Sequence, residues 1–227
     1  MIAKGIVRDF GKLISEAERR IIEGIKDGRI ETETSITDRF LNEIERTFDE
    51  YRERENDVRF RARTLRDRGR NAPEYEFGAD FCGVLDIHFR FFRQSKGFLS
   101  QAKREGYGIS IQRGFFGATT VGFSKNNEFQ RLNKQVEKML SITPDSFVIV
   151  YDIKGFVVVP ASSIKGLNGN SRLYGKTVDR FFKEFLMCFI GDPRLKAYDD
   201  KSLERMKEET NARTAIIFQL HEEQYLQ

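Results

Sequence analysis

The chain has 227 residues, 39% of them hydrophobic and 33% charged, with a formal net charge of +4. This is the balance of a protein that folds around a core, and the length suits one α/β domain over 1–227. No run approaches the roughly eighteen apolar residues of a membrane span, and the richest stretch, residues 181–190, is interrupted by Lys183 and Glu184, so no membrane partner is expected.

Lys4, Arg8 and Asp9 do not fit an export signal, and Cys82 and Cys188 lack Cys-x-x-Cys spacing, so a reduced, cytoplasmic, packed state is expected for both. With only His88 and His221, a zinc site of several His and Cys ligands is ruled out. A metal here would need oxygen ligands, which suits Mg²⁺.

The N-terminal unit, 1–30, is a helix: Ile6, Phe10, Leu13, Ile14, Ala17, Ile21, Ile22 and Ile25 recur at helical spacing, and Gly28 stops it. A second helix is predicted to start after Ser35 or Thr37 as cap, present Phe40, Leu41, Ile44 and Phe48, and run into an arginine-rich stretch that breaks at Pro73. Residues 51–70 hold eight arginines against four acids. Arg59, Arg63, Arg66 and Arg70, three or four apart, would form one phosphate-facing stripe on a helix; alternatively the arginines pair with neighbouring acids on a solvated face.

Residues 80–92 alternate as a strand with one apolar face, Phe81, Gly83, Leu85, Ile87, Phe89 and Phe91. A turn at 95–97 leads to a second strand, 98–104. Residues 106–122, with Tyr107, Phe115 and Phe116, read as an irregular, substrate-facing loop. Beyond it, 126–140 is a helix, 146–151 and 155–159 form a second hairpin, and 166–175 is loop. Residues 176–190 read as a largely buried helix with Phe181, Phe182, Phe185, Cys188 and Phe189 in the core; 195–210 is a charged helix and 214–220 a last strand. The fold class expected is α/β, a central sheet of about four to six strands between helices.

The chemistry concentrates at Asp80 and, twenty-one residues later, Gln101-Ala102-Lys103-Arg104. On a strand Gln101 and Lys103 share a face. If the strand of Asp80 lies alongside, a carboxylate, an amide oxygen and an ammonium converge, a set that suits metal-assisted phosphodiester cleavage. His88 shares the parity of Asp80 but lies about 26 Å along an extended strand, so a structural role is expected. The glycines of 166–171 lack the Gly-Lys-Ser/Thr ending of a phosphate-binding loop.

Ala79-Asp80 followed by Gln101-Ala102-Lys103 resembles the PD-(D/E)XK nuclease superfamily, in its Mrr-like variant with Gln-x-Lys as second half-motif; Gln101 departs from the acidic residue of the basic pattern. The resemblance covers mainly 31–104, with 105–227 supplying remaining strands and helices. It implies a restriction-endonuclease-like three-layer α/β/α fold with a central mixed sheet, and a Mg²⁺-dependent DNA endonuclease, with Mn²⁺ able to substitute, acting in bacterial restriction or anti-phage defence. Catalytic roles then fall to Asp80, Gln101, Lys103 and Glu33. The metal is held by Asp80, Glu33 and the backbone carbonyl of Ala102, with Glu43 and Glu76 as substitutes for Glu33. Arg59, Arg63, Arg66, Arg70 and Arg104 contact DNA, and a homodimer is expected. The alternative is an inactive module of the same fold that binds DNA or a partner protein.

Overall fold

A computed structural model describes residues 2–52, 58–66, 79–114, 118–168 and 170–222. Two long helices open the chain, α1 (Lys4–Lys26) and α2 (Glu33–Arg52), followed by strands β1 (Val58–Arg66), β2 (Ala79–Phe89), β3 (Phe92–Arg104), β4 (Ile109–Arg113) and β5 (Thr119–Phe123). Then come α3 (Asn127–Ile142), β6 (Ser146–Tyr151), β7 (Val157–Pro160), α4 (Ala161–Ile164), β8 (Ser171–Thr177), α5 (Val178–Leu186), α6 (Asp200–Glu209) and β9 (Ala212–Glu222). The strands form one mixed sheet in the order β1-β9-β2-β3-β6-β7-β8-β5-β4. At its centre β9 runs parallel to β2, β2 antiparallel to β3, and β3 parallel to β6.

Side-chain alternation splits the core into two layers. On one face, Phe81, Leu85, Ile87, Phe98 and Phe218 meet α1, α2 and α5. On the other, Cys82, Val84, Leu99, Val148 and Ile217 meet α3, α4 and α6. The first layer is aromatic: the Phe98 ring packs edge-on against Phe81, Phe147, Phe181, Phe182 and Phe185. The sheet is thus covered by helices on both sides, with nine strands among the described residues where four to six were expected. No helix among them is long and apolar enough to cross a membrane.

Several expectations need correction. The helix α2 starts at Glu33 because Thr32, not Ser35 or Thr37, caps it, its Oγ1 accepting the Ser35 N–H at 3.1 Å. It is described to Arg52, and residues 58–66 of the arginine-rich segment form strand β1, paired with β9, where a continued helix was expected. Residues 58–66 are strand, so the three- and four-residue spacing that would align Arg59, Arg63 and Arg66 on a helix does not apply there, and Arg70 lies outside the described residues. Strand β2 is buried on both faces rather than one. Its hairpin turns at residues 90–91, and 95–97 lie inside β3, where Gly97 is needed because a Cβ there would come within 2.8 Å of the Leu195 carbonyl.

Residues 106–122 contain the β4–β5 hairpin, and the loop expected at 166–175 ends in β8. The helix expected over 176–190 is the shorter α5. It closes in a Schellman arrangement, Phe189 N–H to the Glu184 carbonyl and Cys188 N–H to the Phe185 carbonyl, with Cys188 left-handed at φ 66°. Cys188 and Phe189 are consequently exposed, not core, whereas Cys82 is buried as expected.

Candidate functional site

Asp80 stands at the start of β2, and Gln101 and Lys103 near the end of β3. The register Phe81↔Ser100 sets Asp80 across from Gln101, so those two and Lys103 point to one face, that of α3. The parallel register Ala79↔Ala212 and Phe81↔Thr214 puts Arg213 beside Asp80. Glu33, in the first turn of α2, reaches the same end of the sheet, its charge matched to the helix N-terminus. Together they line a cleft of about 370 Å³ whose other wall is α3, with Glu128, Arg131 and Gln135, and whose rim carries Tyr107.

Asp80 Oδ2 accepts from the Ala102 N–H at 2.8 Å and from Gln101 Nε2. Its Oδ1 faces Arg213 Nε at 3.9 Å. Burial pushes the Asp80 carboxyl above its usual pKa; the Ala102 N–H and the Arg213 and Lys103 charges hold it down, and Glu33 adds to the rise. Lys103 is 5% exposed, and its Nζ lies 3.4 Å from Glu33 Oε2. The other Glu33 oxygen accepts the Arg104 N–H at 3.1 Å. Arg213 is anchored through Nη1 on both oxygens of Asp38 at 3.0 and 3.2 Å. Beneath the site, Thr37 Oγ1 and the buried Tyr151 hydroxyl are 3.0 Å apart, tying α2 to β6.

The donors suit a hard cation. Gln101 Oε1 is buried without a hydrogen-bond partner, and Asp80 and Glu33 supply two carboxylates, the usual protein share of a Mg²⁺ site. A cation needing a cage of protein ligands is not provided for: among the described residues no group of three or more His, Cys, Asp or Glu side chains converges.

The structure therefore brings Glu33, Asp80, Gln101 and Lys103 together. Ala102 gives its N–H to Asp80, while its carbonyl meets Gln101 Nε2 at 3.4 Å. Arg104 is turned aside, its Nη1 on the Glu31 carbonyl at 2.6 Å. Arg63 is paired with Asp200 at 2.8 Å and takes no part in the cleft. The side chains of Arg59 and Arg66, and all of Arg70 and Glu76, lie outside the described residues. Glu43 bonds Arg20 and Arg46 on the outer side of α2. His88 packs against His221, ring centroids 5.7 Å apart, towards the opposite end of β2. Arg213 escaped the sequence reading, as did Arg131 and Gln135. Arg213 just precedes a recognisable strand, yet only the long-range parallel pairing of β2 with β9 reveals its neighbour.

No family model, curated protein or solved structure matches the chain.

Proposed function

We propose that the cleft cleaves DNA phosphodiester bonds as a Mg²⁺-dependent endonuclease, with a restriction-endonuclease-like core of the PD-(D/E)XK type and Mn²⁺ as a substitute ion. What supports this reading above all is the convergence of Asp80, Gln101 and Lys103 on one face across two adjacent strands, with Glu33 closing over them. A Mg²⁺ ion held by Asp80, Gln101 Oε1 and Glu33 would supply Lewis-acid stabilisation of the phosphate oxygens. The Lys103 ammonium, held by Glu33, orients the attacking water and offsets the negative charge that grows on the phosphate. Asp80 is kept in place by the Ala102 N–H and the Gln101 amide, and Arg213 adds a second positive charge on the strand beside it. Bacterial restriction or anti-phage defence is the setting that suits such an activity, and cutting both strands of a duplex would take two copies of the chain.

The test is incubation with circular DNA, duplex and single-stranded, in Mg²⁺ or Mn²⁺, beside Asp80→Ala and Lys103→Ala. Cleavage by the wild type alone is expected. The Gln101 amide bonded to Asp80 favours a second reading, a module that binds DNA or a partner protein without cutting. Equal retardation of intact DNA by all three proteins would select it.

A further inference from the structure

Three successive residues at the rim of the cleft, Gly106, Tyr107 and Gly108, have φ of 119°, 49° and 94°. Gly106 and Ile109 exchange both backbone hydrogen bonds, at 2.8 and 2.9 Å, so Tyr107 and Gly108 are the central pair of a tight two-residue turn with both φ positive. Such a turn prefers Asn-Gly or Asp-Gly, because a bulky L-residue is disfavoured at positive φ. The turn is also fixed from outside. Asn126, the cap of α3, donates from Nδ2 to the Tyr107 carbonyl at 2.7 Å, and Ser124 N–H bonds the Gly108 carbonyl at 2.7 Å. A Cβ on Gly108 would collide with Asn126 Nδ2 at 2.2 Å. The outcome of this construction is that Tyr107 is 87% exposed at the rim of the cleft that Asp80, Lys103 and Arg213 line.

An unfavourable backbone held rigidly to present an aromatic face beside cations matches what an unstacked nucleic-acid base needs. The cleft beside it measures about 370 Å³, and an exposed ring offers its face to a base that is not already stacked on both sides, which a single strand or an unpaired stretch provides and an intact duplex does not.

We propose that Tyr107 is the platform on which a base of single-stranded or locally unpaired DNA stacks, with its phosphate directed to Lys103 and Arg213. The proposal rests on the nuclease reading for the cutting step, but the binding step is measurable alone. The experiment is fluorescence anisotropy of the full chain in a chelator with a short labelled DNA, as single strand and as duplex, together with thermal denaturation. The wild type is expected to bind the single strand more tightly. Tyr107→Ala and Tyr107→Asn are expected to lose between about 5- and 100-fold of that affinity, while Tyr107→Phe keeps it. Tyr107→Asn, which suits the turn better, should leave the melting temperature unchanged or higher, so its loss of binding would not come from misfolding. Wild-type affinity in Tyr107→Asn, or tighter binding of the duplex by the wild type, would overturn the proposal. Ring-independent binding by a protein that still cuts counts against this proposal alone; ring-dependent binding without cutting supports it and counts against the nuclease reading alone.

Discussion

Lys96 and Lys103 lie on the same strand, β3, and are almost equally buried, at 3% and 5% exposure, yet they face opposite layers of the molecule. On the aromatic side, Lys96 Nζ donates to the carbonyls of Phe185 and Ile190 at the end of α5 and sits 4.9 Å from the Phe185 ring centroid. Burial lowers its pKa, against the opposing pull of Cys188 and the Asp145 charge. On the other side, Lys103 meets a carboxylate, Glu33, that is 40% exposed at the mouth of a cleft. Burial therefore does not set the two apart. Lys96 gives its donors to carbonyls at and just past the end of α5, whereas Lys103 is held at 3.4 Å by a carboxylate at the mouth of the cleft.

That contrast is broken most decisively by Lys103→Ala. Loss of the cation, or of the carboxylate in Asp80→Ala, should lower DNA cleavage by at least about a hundredfold with the melting transition retained, since groups aimed at developing charge contribute on this scale. Unchanged cleavage in Lys103→Ala would make Lys103 as structural as Lys96, and unchanged cleavage in Asp80→Ala would remove the carboxylate from the proposed site.

A third, half-buried ionisable group sharpens the comparison through pH. Glu18 of α1 accepts the Phe156 N–H, and its pKa is pushed up to about 7, chiefly by burial; the Phe156 N–H opposes this, Asp179 reinforces it and Arg113 relieves it. The folded pKa is above the unfolded value of 4.5. Between those two values the unfolded chain gives up a proton that the folded protein keeps, so stability falls as pH rises through the window, by up to about 3 kcal/mol above it. Glu18→Gln should match the wild type near the lower limit and exceed it under mildly alkaline conditions in denaturant titrations. An offset that does not change with pH would show that Glu18 titrates normally.

Lys96→Met should act on the fold alone. The Phe185 carbonyl still receives the Cys188 N–H, but the Ile190 carbonyl loses its donor, so stability should drop by about 2 kcal/mol while the folded protein cuts DNA at the wild-type rate. A large loss of turnover per folded molecule would place Lys96 with Lys103.

The two lysines also mark what the sequence makes legible. The α1 and α3 helices and the β6–β7 hairpin are readable because one local period or cap decides each: isoleucines at helical spacing in α1, Asn126 accepting the Phe129 N–H at 2.8 Å in α3, and valine runs in the strands. The shared face of Asp80, Gln101 and Lys103 comes from strand parity alone. One miss is local: in the segment that becomes β1, Val58, Phe60 and Ala62 alternate with Arg59, Arg61 and Arg63, a period of two that marks a strand, and the helical reading of the arginine spacing passed over it; β9 supplies its partner. What else escapes is settled at long range. Ser95-Lys96-Gly97 looks like a turn, yet Gly97 is there to let the backbones of β3 and Leu195 approach. Arg213 belongs to the site only through its place beside β2, which no local pattern encodes.

The smallest expected effect concerns the arginines that the charge count brought forward. Arg63 and Asp200 form a pair at 2.8 Å with side chains 42% and 49% exposed, a geometry in which solvent screens most of the attraction. Arg63→Ala should therefore change stability by less than about 1 kcal/mol in denaturant titrations. Because Arg63 lies away from the cleft, its removal should also leave the slope of DNA affinity against salt nearly unchanged, whereas Arg213→Ala, at the cleft, should flatten it by about one phosphate contact. The reverse ranking would move the DNA-binding surface from the cleft to the β1 edge, and with it the meaning of the local excess of arginine.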